Sequence, residues 1–226
     1  MFGGRCGKVV KPPLAFIGID VQSARECPYV VLDSSLKHCA SGWLGSPKEI
    51  VKVVEEASTI GGVAVGIDAP RCPLPKPREH YWSKRGWRRR SGKEVGSGRH
   101  CEVVLSAHRI ANPQWTPVSA SCPEWMQVGF KLFQLLTPIA QTYEVFPSAS
   151  YALLANEPEP AFTVSLTGFF QGPKDMLDAY VAAYTVFEFL GGRGVAVGGG
   201  DGLGAIILPR PIKAVDERVI RWPQQS

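Results

Sequence analysis

The chain has 226 residues, 45% hydrophobic and 20% charged, an ordinary globular balance. That excludes a disordered tail, a coiled coil and a collagen-like chain, and the length suits one large domain or two small ones. The net charge of +5 is uneven: residues 71–100 hold 10 Lys/Arg against 2 acids, or +8, and the remainder holds 15 against 18, or −3. Such asymmetry points to an anionic partner, nucleic acid first, or else to a solvated loop. No apolar run reaches the about 18 residues that a spanning helix needs. No apolar leader precedes Asp20, and the six cysteines show neither CxxC nor zinc spacing. Reduced thiols in a cytoplasmic protein without membrane contact are expected.

Residues 1–13 end in Pro12-Pro13 and read as a flexible lead-in. Leu14 to Ile19 is a continuous apolar run closed by Asp20, which suits a strand buried on both faces. Pro28 to Leu32 predicts a second strand and Lys37 to Trp43 a short third. Ser46-Pro47-Lys48-Glu49 is a helix start, with Ser46 as cap and Glu49 completing a capping box. Ile50, Val53, Val54 and Ala57 then recur at helical spacing, and Gly61-Gly62 ends the helix. Val63 to Ile67 is another apolar strand closed by an acid, Asp68.

Residues 69–98 carry Pro70, Pro73, Pro75 and Pro77 and predict a long basic loop. A helix is expected over Arg99 to Ile110. A second capping box, Ser121 to Glu124, leads into a helix with Trp125, Val128, Gly129, Leu132 and Leu136 on one face. Thr142 to Phe146 reads as a strand with Glu144 in mid-strand, and 148–155 as a short helix. The last clear helix starts at Gly172-Pro173 and ends at Gly191-Gly192, with Leu177, Tyr180, Val181 and Tyr184 as its apolar stripe. Residues 191–202 read as a flexible glycine-rich connection to the apolar segment Ala205 to Leu208, and 210–226 as a C-terminal tail. The alternation of strands and helices predicts an α/β fold.

Three apolar strands each carry one carboxylate (Asp20, Asp68, Glu144), and the last helix carries Asp175 and Asp178. Buried acids need partners. If these groups converge they repel one another unless a cation intervenes, and magnesium or manganese suits an all-oxygen site. Two such ions would serve phosphodiester hydrolysis. Taken singly, Asp20 and Asp68 also fit turn residues that bind backbone N–H groups, and Asp175 fits the dipole of its helix.

FIGID (16–20), GIDAP (66–70), YEVFPSASYALL (143–154) and KDMLDAYVAAY (174–184) occur in an order that resembles the domain-of-unknown-function family numbered 429, a predicted nuclease family of the ribonuclease H-like superfold. The pattern of Asp175, Asp178 and Ala179 is also similar to the final helix of Holliday-junction resolvases of that superfold. The resemblance spans roughly Leu14 to Pro209. It implies a single ribonuclease H-like domain over 14–209, with a central mixed five-stranded sheet flanked by helices and its first three strands antiparallel. It further implies that Asp20 and Asp68 lie on adjacent strands near the sheet centre, with Glu144 and Asp178 at the remaining acidic positions. Arg99, Glu102 and Arg109, in the stretch 99–109, would be site-adjacent.

In the basic loop, Tyr81, Trp82 and Trp87 lie among Lys84, Arg85, Arg88, Arg89 and Arg90. Cations neutralise phosphates and aromatic rings stack on bases, so the mixture fits a nucleic-acid contact. GGRGVAVGGGDG lacks a phosphate-loop signature, no GxSxG elbow occurs, and the four histidines show no partner spacing. The expectation is therefore a metal-dependent nuclease. Asp20 would bridge two magnesium or manganese ions, with Asp68, Glu144 and Asp178 completing the coordination and Asp175 in reserve. Arg99, Arg109 and the 84–90 cluster would hold the substrate backbone. A non-catalytic nucleic-acid-binding module and an enzyme acting on small phosphorylated molecules are the alternatives.

Overall fold

A computed structural model describes residues 13–59, 61–155 and 173–223; the expected lead-in lies, but for Pro13, outside the described residues. One mixed sheet contains seven strands: β1 (Ala15–Asp20), β2 (Cys27–Asp33), β3 (His38–Leu44), β4 (Val63–Asp68), β7 (Gln141–Glu144), β8 (Val195–Gly198) and β9 (Ala205–Leu208). Their order is β3-β2-β1-β4-β7-β9-β8. β1, β2 and β3 are antiparallel neighbours, whereas β1–β4, β4–β7 and β7–β9 are parallel. The two strands beyond the expected five come from the glycine-rich stretch and the apolar segment Ala205–Leu208 that follows it. The Val195–Val197 core of that stretch extends into β8, and the left-handed turn residues Gly198 and Gly199 bring the chain back as β9, antiparallel to it. So short a strand, bounded by glycines, carries too little periodicity to be seen in the sequence.

The helices are α1 (Pro47–Ser58), α2 (His100–Ala107), α3 (Glu124–Leu136), α4 (Pro147–Leu154), α5 (Pro173–Leu190) and α6 (Glu217–Ile220). Ser46 caps α1 as expected: its hydroxyl accepts from the Glu49 N–H at 3.4 Å and donates to the Glu49 carboxylate at 3.1 Å. The second predicted capping box does not form. The residue before a proline is driven out of the helical region. Cys122 is accordingly extended ahead of Pro123, Ser121 falls in a separate 3-10 turn, and α3 starts one residue after the proline with no side-chain cap.

Side chains alternate across β1 and β4. Ile17, Ile19, Val65 and Ile67 point to one face, where α1 and α3 cover them. Phe16 and Ala64 point to the other, against α5. A third cluster joins α2, α6, β8 and β9 through Val104, Val197, Leu208 and Val219. Residues 210–223 are thus not a loose tail, for Val219 is fully buried. Nor is α5 simply amphipathic: Asp178 through Val186 are all buried, because α4 closes its outer side with a Ser150–Thr185 hydroxyl hydrogen bond of 2.9 Å.

Two glycines set how near α5 can come to the sheet. They are register partners, Gly18 on β1 and Gly66 on β4. A Cβ on Gly18 would stand 1.8 Å from the Ala179 carbonyl oxygen, and one on Gly66 2.7 Å from that of Ala182. Gly18→Ala is expected to lower the unfolding free energy in urea by about 1–3 kcal/mol or more, as overpacking against backbone does. Gly92→Ala, whose methyl would meet nothing within 4 Å, should stay within about 0.5 kcal/mol of the parent.

Candidate metal centre

Asp20 and Asp68 are the last residues of two neighbouring parallel strands and are register partners. Both side chains therefore leave the sheet on the face that α5 covers. The N-terminal turns of α5 bring Asp175 and Asp178 to the same place. One carboxylate oxygen from each of Asp20, Asp175 and Asp178 lies within 4.8 Å of the other two. Asp20 and Asp178 are buried and Asp175 is half-buried. Their oxygens are partly engaged. Asp20 accepts from Gln22 Nε2 at 2.7 Å; Asp178 accepts from the Tyr151 hydroxyl at 2.7 Å and from Lys174 Nζ at 2.6 Å. Asp175 pairs with Arg25 at 2.5 Å. Asp68 receives no hydrogen bond or ion pair among the described residues.

Burial, reinforced by the nearby charges of Asp178 and Asp175, lifts the Asp20 carboxyl to about 7 although Gln22 opposes the shift. Asp68 is pushed well above the usual carboxylate range, first by burial and then by Asp20, Asp178 and Glu144. Concentrated carboxylates that resist ionisation, with oxygen donors alone around them, are the setting a hard divalent cation relieves. Asp20, Asp175 and Asp178 form a carboxylate triad that could hold a metal ion, with Asp68 alongside. Asp175, held in reserve on sequence grounds, belongs to the central triad.

Glu144 does not. It ends β7 rather than lying in mid-strand, and it is the register partner of Ile67, not of Asp68. The one-residue offset sends its side chain to the opposite face. There it meets Arg99, whose Nη1 donates to Glu144 at 2.7 Å and whose Nη2 reaches the other oxygen; the Arg71 N–H adds a bond of 2.9 Å. Arg99 Nε donates to Glu102 at 2.9 Å, and Glu102 also accepts from the Thr116 N–H at 2.9 Å. With Arg99 only 1% exposed and its guanidinium spent on two carboxylates, it cannot bind a passing phosphate as expected. Burial works against its charge, but Glu144 and Glu102 hold the guanidinium above its ordinary value. A cleft of about 260 Å³ at the strand ends is lined by Asp20 and Asp68 together with Arg99, Glu102, Trp125 and Glu144. Arg109 does not line it: exposed beyond the C-terminal end of α2, it lines a different cavity.

The basic segment is also more ordered than a loop. It contains the hairpin β5 (His80–Ser83) and β6 (Gly86–Arg89). Trp87 is not presented for stacking: its indole donates to the Arg218 carbonyl at 2.9 Å and its ring packs edge-on against Trp82 and Trp222. Arg88 is paired with Glu94 at 2.5 Å. Lys84, Arg85, Arg89 and Arg90 remain exposed. His100 and His108 are structural. His100 accepts from the Gly200 N–H and donates to the Val219 carbonyl, and His108 bridges the Val104 carbonyl and the Asp216 N–H. Asp201 of the GGGDG stretch accepts from the His100 N–H at 2.7 Å, satisfying the start of α2.

Gln22, Tyr151 and Lys174 escaped the sequence reading, although Lys174 lies one helical turn before Asp178. No family model, curated protein or solved structure matches the chain. Among the described residues no helix is long and apolar enough to cross a membrane, and the five described cysteines are free.

Folding lifts the Asp20 carboxyl from its ordinary 3.8 to about 7. The folded state therefore holds an extra proton in that window and loses stability as pH rises through it. Metal-free Asp20→Asn escapes this loss. It should be more stable than the parent near pH 8, by about 1–4 kcal/mol, and match it near pH 4; thermal unfolding at both pH values checks this. Arg99→Met should cost about 3–5 kcal/mol in urea unfolding, because two buried carboxylates lose their cation.

Proposed function

We propose that the chain is a divalent-metal-dependent phosphodiesterase acting on nucleic acid, on a ribonuclease H-like domain. The observation that carries this reading is the convergence of Asp20, Asp175 and Asp178, with unpartnered Asp68 beside them, at the C-terminal ends of adjacent parallel strands. Ligand sites in α/β sheets favour that edge. The antiparallel β1–β2–β3 order and the adjacency of β1 and β4 support the superfold that the four motifs imply.

A bound magnesium or manganese ion would polarise a phosphoryl oxygen and lower the pKa of a water. Asp20 and Asp178, both buried, would hold that ion, and Asp175 would complete the set from the first turn of α5. Tyr151 and Gln22 orient the carboxylates through their hydrogen bonds. Asp68 supplies the free carboxylate that a second ion requires. Lys84, Arg85, Arg89 and Arg90 provide an exposed cationic surface for the polymer backbone, which makes binding salt-sensitive. Glu144 and Arg99 hold β7 against the start of α2 and form one wall of the cleft beside the acids.

The test is cleavage of labelled single-stranded, duplex and branched DNA and RNA with magnesium or manganese. Asp20→Asn and Asp178→Asn should each lower the rate by at least about 100-fold while the protein stays folded. Salt-dependent binding with no cutting of any substrate would turn the reading to a non-catalytic binding module.

A further inference from the structure

A second cavity, of about 450 Å³, opens between the β5–β6 hairpin and the C-terminal half of α2. Its volume falls in the range of small-molecule sites. Three cations line it, Arg78, Lys84 and Arg109, and among the described residues no carboxylate does. Arg78 is the unusual member. Its Nε and Nη1 are buried without a hydrogen-bond partner. Its guanidinium lies 4.0 Å from the Tyr81 ring centre and 5.1 Å from that of Trp115. Ring faces attract a cation but do not replace the acceptors it loses on leaving water. Burial accordingly pushes Arg78 below its ordinary value. An anion in the cavity would supply the missing negative charge.

Two further features point the same way. Arg109 follows α2 with φ of 55°, a left-handed conformation normally left to Gly or Asn. There it adds its side chain to the cavity lining. Trp82 and Trp115 also line the cavity and place aromatic surface next to the cations. Phosphate-binding charge beside stacking surface is the chemistry of a nucleotide.

We infer that this cavity is a nucleotide-binding subsite, taking a phosphate on Arg78, Lys84 and Arg109 and a base on Trp82 or Trp115. The choice of ligand rests on the phosphodiesterase reading, but binding here needs no metal. Gln114 lines the acidic cleft and the next residue, Trp115, lines this cavity.

The full chain, with chelator present, is titrated with adenosine 5′-monophosphate, a single-stranded oligothymidylate, adenosine and inorganic phosphate, followed by calorimetry and tryptophan fluorescence. Saturable binding of the mononucleotide, tighter than adenosine or phosphate alone, identifies a free-nucleotide site. Such binding of the oligonucleotide alone identifies a contact to the polymer, and either result supports the inference. Arg78→Gln and, as an exposed substitution that spares the fold, Arg109→Ala should each weaken that binding about tenfold. Lys52→Ala on α1, an equal charge change far from the cavity, should not. No saturable binding, binding no tighter than phosphate alone, or unchanged affinity in Arg109→Ala overturns the subsite. Metal-dependent cleavage that persists in that case leaves the acidic centre standing. Binding without cleavage overturns the hydrolytic reading alone.

Discussion

Helix α5 lies against β1 and β4 with no side chain between them at Gly18 and Gly66, and the acidic centre depends on that closeness. A Cβ at either position would collide with the helix backbone. Two residues farther along each strand stand Asp20 and Asp68, on the same face and under the start of the same helix. The spacing Gly-x-Asp, repeated in the two strands, therefore sets the depth of the helix and delivers the carboxylates in one short segment. Ala179, Ala182 and Ala183 on the helix side keep the contact narrow.

Two electrostatic systems leave the sheet on opposite faces and meet at one cleft beyond the strand ends. On the α5 face the acids outnumber their cations, and burial raises the Asp20 and Asp68 carboxyls above the usual carboxylate range. On the other face Glu144 and Glu102 share Arg99 in a closed network. A one-residue offset in the β4–β7 register makes the difference. The first system is short of positive charge and suited to an exchangeable cation. The second is internally satisfied and suited to fixing α2, and through it the hairpin and the C-terminal segment.

Much of the sheet was legible because an apolar run closed by an acid is a distinctive strand ending, as in β1 and β4. The α1 start was equally plain, since Ser46, Pro47 and Glu49 each act locally. What failed depended on distant partners. Nothing near Glu144 in the chain says that Ile67 is its neighbour, so its face could not be read. Trp87 looked available for bases because Trp222, which packs on it, lies near the other end of the chain. The Gly-x-Asp repeat was in view, and glycine inside an apolar strand is a sign of close backbone approach; it was the one readable cue to where α5 sits.

The placement of α5 has a consequence for the order of synthesis. Phe16, Val30 and Leu32 are covered by a helix formed from Pro173–Leu190, so during synthesis β1 and β2 bury one face only after more than 140 further residues have followed. Until then β1 and β2 present an apolar surface with glycine at its centre, a flat template for unwanted strand pairing. The same helix that assembles the acids is thus also the late cover of β1 and β2. Completing the acidic centre and protecting the nascent chain are one event.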